Sequence, residues 1–166
     1  MTNAEVKVGI ADLNLVLDPG EIMTIGLGSC IGIALYDKVN KVAGLSHIML
    51  PDSTQFKNVT NPMKFADLAI PLLVEKMEKQ GCAKRNITAK IAGGASMFNF
   101  SDKSMISDIG KRNGEAVKKT LKKLGIPIIA EEIGGDKGRT MILRASDGQV
   151  VLKVVGQGAV SYTHLR

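Results

Sequence analysis

A cysteine lies in a glycine-flanked break between two apolar runs, in the segment EIMTIGLGSCIGIALYD at residues 21–37. A nucleophilic cysteine needs an exposed sulfur, a nearby base and donors that stabilise an oxyanion. A tight turn at Gly28 and Ser29 would expose the sulfur of Cys30 and let a substrate amide approach closely. The backbone N–H groups of Ser29 and Cys30, with Gly28 beside them, are candidate oxyanion donors. The segment therefore predicts thiol chemistry on a carbonyl group.

The candidate base and its partner lie on the strands around this turn. His47, in GLSHIMLP, is the one histidine that precedes the C-terminal SYTHLR. The hydroxyl of Thr24 could accept a hydrogen bond from the imidazole N–H and fix the tautomer of the ring. Because DKVNK at residues 37–41 indicates a hairpin turn, Cys30 and His47 are expected on neighbouring strands. A triad of Cys30, His47 and Thr24 would suit a protease or an amidase equally.

Each of these residues also has a structural explanation. A lone cysteine in an apolar segment is usually a small buried hydrophobe, and a lone histidine in a strand is usually a hydrogen-bonded structural residue. Threonine is a good strand former in its own right. The residue pattern alone therefore leaves both explanations open for Cys30, His47 and Thr24. Cys82, in QGCAK, lacks a glycine setting and a nearby histidine, and we assign it to packing.

Length and composition predict one globular domain with an aliphatic core. The chain has 166 residues, of which 45% are hydrophobic, with few aromatic side chains and no tryptophan. We assign residues 1–160 to the domain and set 161–166 apart as a tail that need not be native. Two distant cysteines form neither a disulfide framework nor a zinc-type pair, and we expect no metal and no cofactor. Without a signal peptide or a membrane-length apolar run, the expected location is the cytoplasm, with no membrane insertion.

The net charge of +6 raises the possibility of nucleic-acid binding, and its distribution argues against that function. Many of the positive charges fall in 76–85 and 118–125, which resemble the last turns of amphipathic helices. No aromatic residues interleave with them to stack on bases. The glycines within 26–32 and the GGDKGRT segment at 134–140 fit neither a dinucleotide fingerprint nor a phosphate loop. An acidic protein partner would still be attracted.

The segments that must position the candidate site are mostly strands that follow one another directly. This order favours an α+β fold with mixed or antiparallel sheets over a doubly wound fold. Two amphipathic segments predict the main helices, and Pro71 implies a kink or a break in the first. The predicted strands lie within 6–18, as one or two, and at 22–28, 31–37, 41–51, 87–98, 126–135, 139–148 and 149–158, and the predicted helices lie within 62–81 and 107–125.

Five segments together resemble the CheD family of bacterial and archaeal chemoreceptor glutamine deamidases, most closely those of the Bacillus type. In order they read TIGLGSCIGIALYD, GLSHIMLP, KIAGGASMF, IGKRNGEAV and GGDKGRTMILRASDGQVVLK, and the similarity extends from about residue 5 to residue 156. The resemblance implies an α/β sandwich related to bacterial toxin deamidases. It also implies a catalytic triad of Cys30, His47 and Thr24 that hydrolyses receptor glutamine to glutamate.

The resemblance further implies two protein partners, the cytoplasmic domains of methyl-accepting chemoreceptors and CheC, a phosphatase of phosphorylated CheY. Met97, Phe98 and Phe100 follow the Gly-Gly turn and are either core residues or an apolar lip that grips a partner helix. A function from another class stays open beside the enzyme. In that alternative, the chain is a non-catalytic regulatory module that docks on chemoreceptors or on CheC.

Overall fold

The computed structural model describes residues 4–96 and 109–154, together with the backbone of a strand at 162–165. Two five-stranded sheets contain all its strands, one in the order β1-β3-β8-β9-β10 and the other in the order β2-β5-β4-β6-β7. The pairs β1/β3 and β6/β7 are parallel, and the remaining pairs are antiparallel. The strands are β1 (Glu5–Val8), β2 (Asp12–Leu17), β3 (Glu21–Leu27), β4 (Ile31–Asp37), β5 (Val42–Ile48), β6 (Ile87–Gly93), β7 (Ile128–Ile133), β8 (Arg139–Arg144), β9 (Val150–Val154) and β10 (Tyr162–Leu165).

Two α-helices, α1 (Ala66–Lys79) and α2 (Ile109–Leu124), accompany these sheets in the described part of the chain. Short 3₁₀ turns lie at Ser53–Gln55, Pro62–Lys64 and Lys84–Asn86. The prediction of an α+β fold with mixed sheets and two main helices is confirmed. Its relation to toxin deamidases stays a prediction.

The second sheet is the middle layer of the fold. Alternate residues of β4 belong to two cores: Ile31, Ile33 and Leu35 pack with α1 and α2, whereas Ala34 and Tyr36 pack toward the first sheet. Because both faces are covered, all seven residues of β4 and all seven of β5 are buried. Side chains on one parity of these strands therefore point into the layer between the sheets.

The helices follow the apolar spacing of the sequence. In α1 the buried side chains recur every three or four residues, at positions 66, 69, 70, 73, 74 and 77. The helix continues through Pro71 without a break, because the tertiary packing of this buried face outweighs the single lost hydrogen bond. The structure also has a strand that the sequence does not predict: β10, in the tail, pairs with β9. The domain boundary at residue 160 stays a prediction.

Candidate active site

His47 and Thr24 meet in the layer between the two sheets. On β5, His47 has the same parity as Ala43 and Leu45, which face the first sheet. Thr24 lies on β3 of that sheet, and its Oγ1 is 2.6 Å from Nδ1 of His47. Both side chains are almost completely buried, with His47 0% and Thr24 1% exposed. The sandwich therefore brings together two residues that are 23 positions apart in the chain.

A third residue determines which nitrogen of His47 carries the proton. The Thr24 hydroxyl donates to the backbone carbonyl of Val8 at 2.7 Å, and a carbonyl oxygen can only accept. The single hydroxyl proton is thus used, so Thr24 Oγ1 must accept from Nδ1–H of His47. Nε2 then has the free lone pair, and it has no hydrogen-bond partner among the described residues. This is the tautomer that a general base needs.

Cys30 lies at the end of the same layer, directly before β4. Gly32 of β4 pairs with His47 of β5, and Cys30 precedes Gly32 by two residues. The cysteine is half-buried and packs against the core between the sheets. Its thiol is not hydrogen-bonded to Nε2 of His47 in this structure. Such bonds are often long without substrate and shorten in the reacting complex.

Burial keeps both groups of the pair neutral at physiological pH. Desolvation raises the pKa of the Cys30 thiol above its ordinary 9.0, and a hydrogen bond from the cysteine's own backbone N–H offsets part of this rise. Burial also lowers the pKa of His47 from 6.5 to about 4. Both pKa shifts favour a neutral thiol and a neutral imidazole over a thiolate–imidazolium pair before substrate binds.

The buried imidazole predicts a loss of stability in mild acid. Between pH 6.5 and about 4, the unfolded chain binds a proton that folded His47 does not, so the free energy of unfolding falls as the pH is lowered through that window. The expected loss is about 3 kcal/mol. Urea unfolding at both ends of the window, beside the His47→Gln variant, measures it. Equal pH dependence in the two proteins would contradict the assignment.

Three successive carbonyl groups of the cysteine loop point into the protein. The Gly28 oxygen accepts from the N–H of Ala95 at 2.8 Å, and the Cys30 oxygen accepts from the N–H of Gly94 at 2.9 Å. Between them, the Ser29 oxygen accepts from the Asn113 amide at 2.9 Å. In a trans peptide the N–H points away from its carbonyl, so the N–H groups of Ser29 and Cys30 face the opposite side.

These orientations distinguish between the predicted oxyanion donors. The N–H of Cys30 belongs to the same residue as the sulfur, and its interaction with the thiol favours the thiolate and so lowers the thiol pKa. The N–H of Gly28 already donates to Gly26 at 3.1 Å. Ser29 and Cys30 thus offer the donors that face the reacting side, whereas the N–H of Gly28 is engaged in the turn itself.

Several residues around the loop carry no chemical signal that sequence reasoning identified. Asn113 of α2 donates to Ser29 and also to the carbonyl of Met49, at 2.9 Å each. Arg139 donates to the carbonyl of Gly93 at 3.0 Å. These residues belong to the family-like segments IGKRNGEAV, GGDKGRT and KIAGGASMF, which were the available signal.

Cys82, which the sequence assigns to packing, lies in the other core, between the second sheet and the helices. Burial raises the pKa of the Cys82 thiol to about 12, and the carboxylate of Asp37, which accepts a hydrogen bond from the thiol, contributes to the rise. Met97, Phe98 and Phe100 lie outside the described residues. Within the described residues, no three histidine, cysteine or acidic side chains are arranged to hold a metal ion. The helices there are too short or too polar to span a bilayer.

Comparisons with known proteins identify the family to which this chain belongs. A family model described as CheD chemotactic sensory transduction matches residues 49–154. A probable chemoreceptor glutamine deamidase CheD of Clostridium botulinum strain Alaska E43 is 77% identical over 160 residues, covering 96% of this chain and 99% of that protein. A protein of Clostridium novyi with the same name is 67% identical, with coverages of 95% and 98%.

Among solved structures, this chain is similar to the Bacillus licheniformis hypothetical protein YfiH. It is 14% identical in sequence, with a TM-score of 0.49, over 75% of this chain and 51% of that one. The family assignment depends instead on the family model and on relatives that align over nearly their whole length. On that basis, this chain belongs to the CheD family.

Proposed function

We propose that this protein is a protein-glutamine deamidase that converts specific glutamine side chains of chemoreceptors to glutamate. A relative that is 77% identical to it is named a probable chemoreceptor glutamine deamidase, and that name supports the reaction and the substrate. The observation that carries the chemistry is the hydrogen-bond chain from His47 through Thr24 to Val8, which leaves Nε2 as an acceptor in the layer against which Cys30 packs. The receptor's cytoplasmic domain as substrate would place the protein in the cytoplasm.

The first half of the reaction forms a thioester. Nε2 of His47 takes the proton of Cys30 while Sγ attacks the side-chain carbonyl carbon of glutamine. The N–H groups of Ser29 and Cys30 donate to the oxyanion that develops on the carbonyl oxygen. The imidazolium then gives its proton to the amide nitrogen, and the C–N bond breaks to release ammonia. Neutral His47 and an acyl-enzyme remain.

The second half hydrolyses the thioester by the same base. Nε2 takes a proton from a water molecule as the water oxygen attacks the carbonyl carbon, and the oxyanion forms against the same two N–H groups. The C–S bond breaks, and the Cys30 sulfur recovers the proton from the imidazolium. The glutamic acid product loses its own proton to solvent. Each turnover consumes one water and changes a neutral side chain to a carboxylate.

Thr24 orients the base and cannot neutralise its charge, because a hydroxyl stays neutral throughout. Thr24→Val keeps the side-chain volume and removes the acceptor of Nδ1–H, so the imidazole loses its fixed tautomer. We expect kcat to fall by about 10- to 100-fold, as for other residues that orient a reacting histidine. Steady-state deamidation measures the change, with Thr24→Ser as a control that retains the hydroxyl. A Thr24→Val enzyme with full kcat would contradict this role.

We also propose that the protein binds CheC, from the family resemblance of its sequence. The predicted contacts Met97, Phe98 and Phe100 belong to this proposal, as does an acidic partner surface that would complement the net charge of +6. Binding does not require the nucleophile, so Cys30→Ala should bind CheC as the parent protein does. In the alternative function, a non-catalytic docking module, receptor or CheC binding would occur with no change in receptor mass.

The decisive experiment follows a chemoreceptor cytoplasmic fragment from Clostridium botulinum by peptide mass spectrometry during incubation with the protein. The expected result is the mass gain of an amide-to-carboxylate change at discrete glutamines, increasing with enzyme concentration. Spontaneous deamidation of asparagine in the same peptides provides an internal reference that the enzyme leaves unchanged. Receptor binding without any glutamine conversion would reject the deamidase and support the docking module.

A further inference from the structure

Three segments with no assigned chemistry converge behind the cysteine loop. The turn after β6 supplies the N–H groups of Gly94 and Ala95, which bind two loop carbonyls. Arg139, at the start of β8, donates to the carbonyl of Gly93 and so fixes that turn. Helix α2 supplies Asn113, which binds the carbonyl of Ser29 between the other two. The turn after β6 and helix α2 therefore hold the loop's carbonyl groups directly, and Arg139 supports them indirectly by fixing that turn.

Asn113 differs from the other two supports because it also binds Met49, which directly follows the strand that carries the base. Its amide donates one hydrogen bond to Ser29, next to the nucleophile, and one to Met49, two residues beyond His47. Both N–H donors are used, which fixes the orientation of the amide. The side chain is 0% exposed. A single buried amide thus joins the loop that carries the nucleophile to the end of the strand that carries the base.

The surroundings of Asn113 indicate that an amide is required there. The same helix face continues with the apolar side chains of Val117 and Leu121. The amide oxygen of Asn113 is buried without a hydrogen-bond partner among the described residues, which costs stability that an apolar side chain would avoid. Gly110, one turn earlier, lets the helix approach: a Cβ there would lie 2.6 Å from the carbonyl oxygen of Ala95.

We propose that Asn113 is a positioning residue of the reaction, which holds the oxyanion-binding N–H groups and the His47 base in register with each other. This inference rests on the proposed function. Without the amide, the Ser29 carbonyl is released, and the peptide unit that carries the N–H of Cys30 can rotate. The oxyanion then loses an aligned donor, whereas the surface that binds the receptor is unchanged. The loss should appear in kcat and not in KM.

The test compares Asn113→Ala with Val117→Ala, a truncation on the same buried helix face one turn further from the loop. We expect kcat for receptor glutamine to fall by about 100-fold in Asn113→Ala with KM within about threefold, since a displaced oxyanion donor costs this much. Val117→Ala should retain kcat even if its melting temperature falls as far. Equal kcat losses in the two variants, or a parallel rise in KM, would overturn the proposal.

A second measurement does not require any deamidase activity. Amide hydrogen exchange of Gly94 and Ala95, whose N–H groups bind the loop carbonyls, should accelerate in Asn113→Ala and stay near the parent rate in Val117→Ala. Unchanged exchange in Asn113→Ala would reject the positioning role even if the parent protein modified no receptor. Accelerated exchange with an inactive parent protein would support the positioning role of Asn113 and reject the deamidase, so the two failures are distinguishable.

Discussion

Cys30→Ala should lower receptor deamidation to the rate of the fragment alone, a loss of at least about four orders of magnitude. No other described side chain can replace the sulfur, because the thioester requires a nucleophile at this point of the loop. Quantifying glutamate at each modified glutamine by peptide mass spectrometry measures the loss. The half-buried cysteine leaves little void when truncated, so the variant should still fold.

Cys82→Ala is the matched control for this prediction. Its thiol is also free, but it is buried beside Asp37 and has a pKa of about 12, so it should not react at neutral pH. We expect full deamidation from Cys82→Ala. Retained receptor modification by Cys30→Ala, or its loss in Cys82→Ala, would remove Cys30 from the proposed mechanism.

The second large effect is expected for His47→Gln. The amide has a similar length and can still bond to Thr24, but it cannot take a proton from sulfur. We expect kcat to fall by about a thousandfold, within the range of general acid–base catalysis. KM should change little, because the fully buried imidazole offers no exposed surface for receptor binding. Steady-state kinetics on the receptor fragment separates the two constants.

The pH profile of the parent protein provides an independent check of the same base. With the pKa of His47 at about 4 and that of Cys30 above 9.0, kcat/KM should be flat through neutrality and decrease in acid only near pH 4. A profile that increases through the ordinary histidine pKa of 6.5 would mean that the imidazole is not held neutral by burial. Thr24→Ser, which keeps the hydroxyl, should show the parent profile.

The pairing of the candidate residues could be predicted because it depends on local pattern. A hairpin at DKVNK places β4 beside β5, and the register opposes Gly32 and His47. The two amphipathic helices were predictable for the same reason, from the spacing of their apolar residues. Of the kink or break predicted at Pro71, the break does not occur, because a local rule on proline takes no account of the core that α1 buries.

The hydrogen bonds that Gly94, Ala95 and Asn113 donate to the loop carbonyls could not be predicted from sequence, because they join residues far apart in the chain. Asn113 lies 84 positions from Ser29 and 64 from Met49, and an asparagine on an amphipathic helix is usually assigned to the solvent face. The direction of the loop's N–H groups likewise depends on where Gly94 and Ala95 lie in space. Backbone partners of this kind leave no periodicity in the sequence.

Because the Thr24 hydroxyl donates to the Val8 carbonyl, the tautomer of His47 depends on a backbone group of β1, a strand at the edge of its sheet. If β1 detached from β3, the Thr24 hydroxyl could instead donate its proton to Nδ1 of His47. The ring proton would then be on Nε2, and Nε2 could no longer accept a proton from the thiol. An alanine scan would miss this dependence, because Val8→Ala keeps the carbonyl. Replacing the Val8–Gly9 amide by an ester weakens the carbonyl acceptor and leaves every side chain unchanged. We expect this substitution to lower deamidase activity.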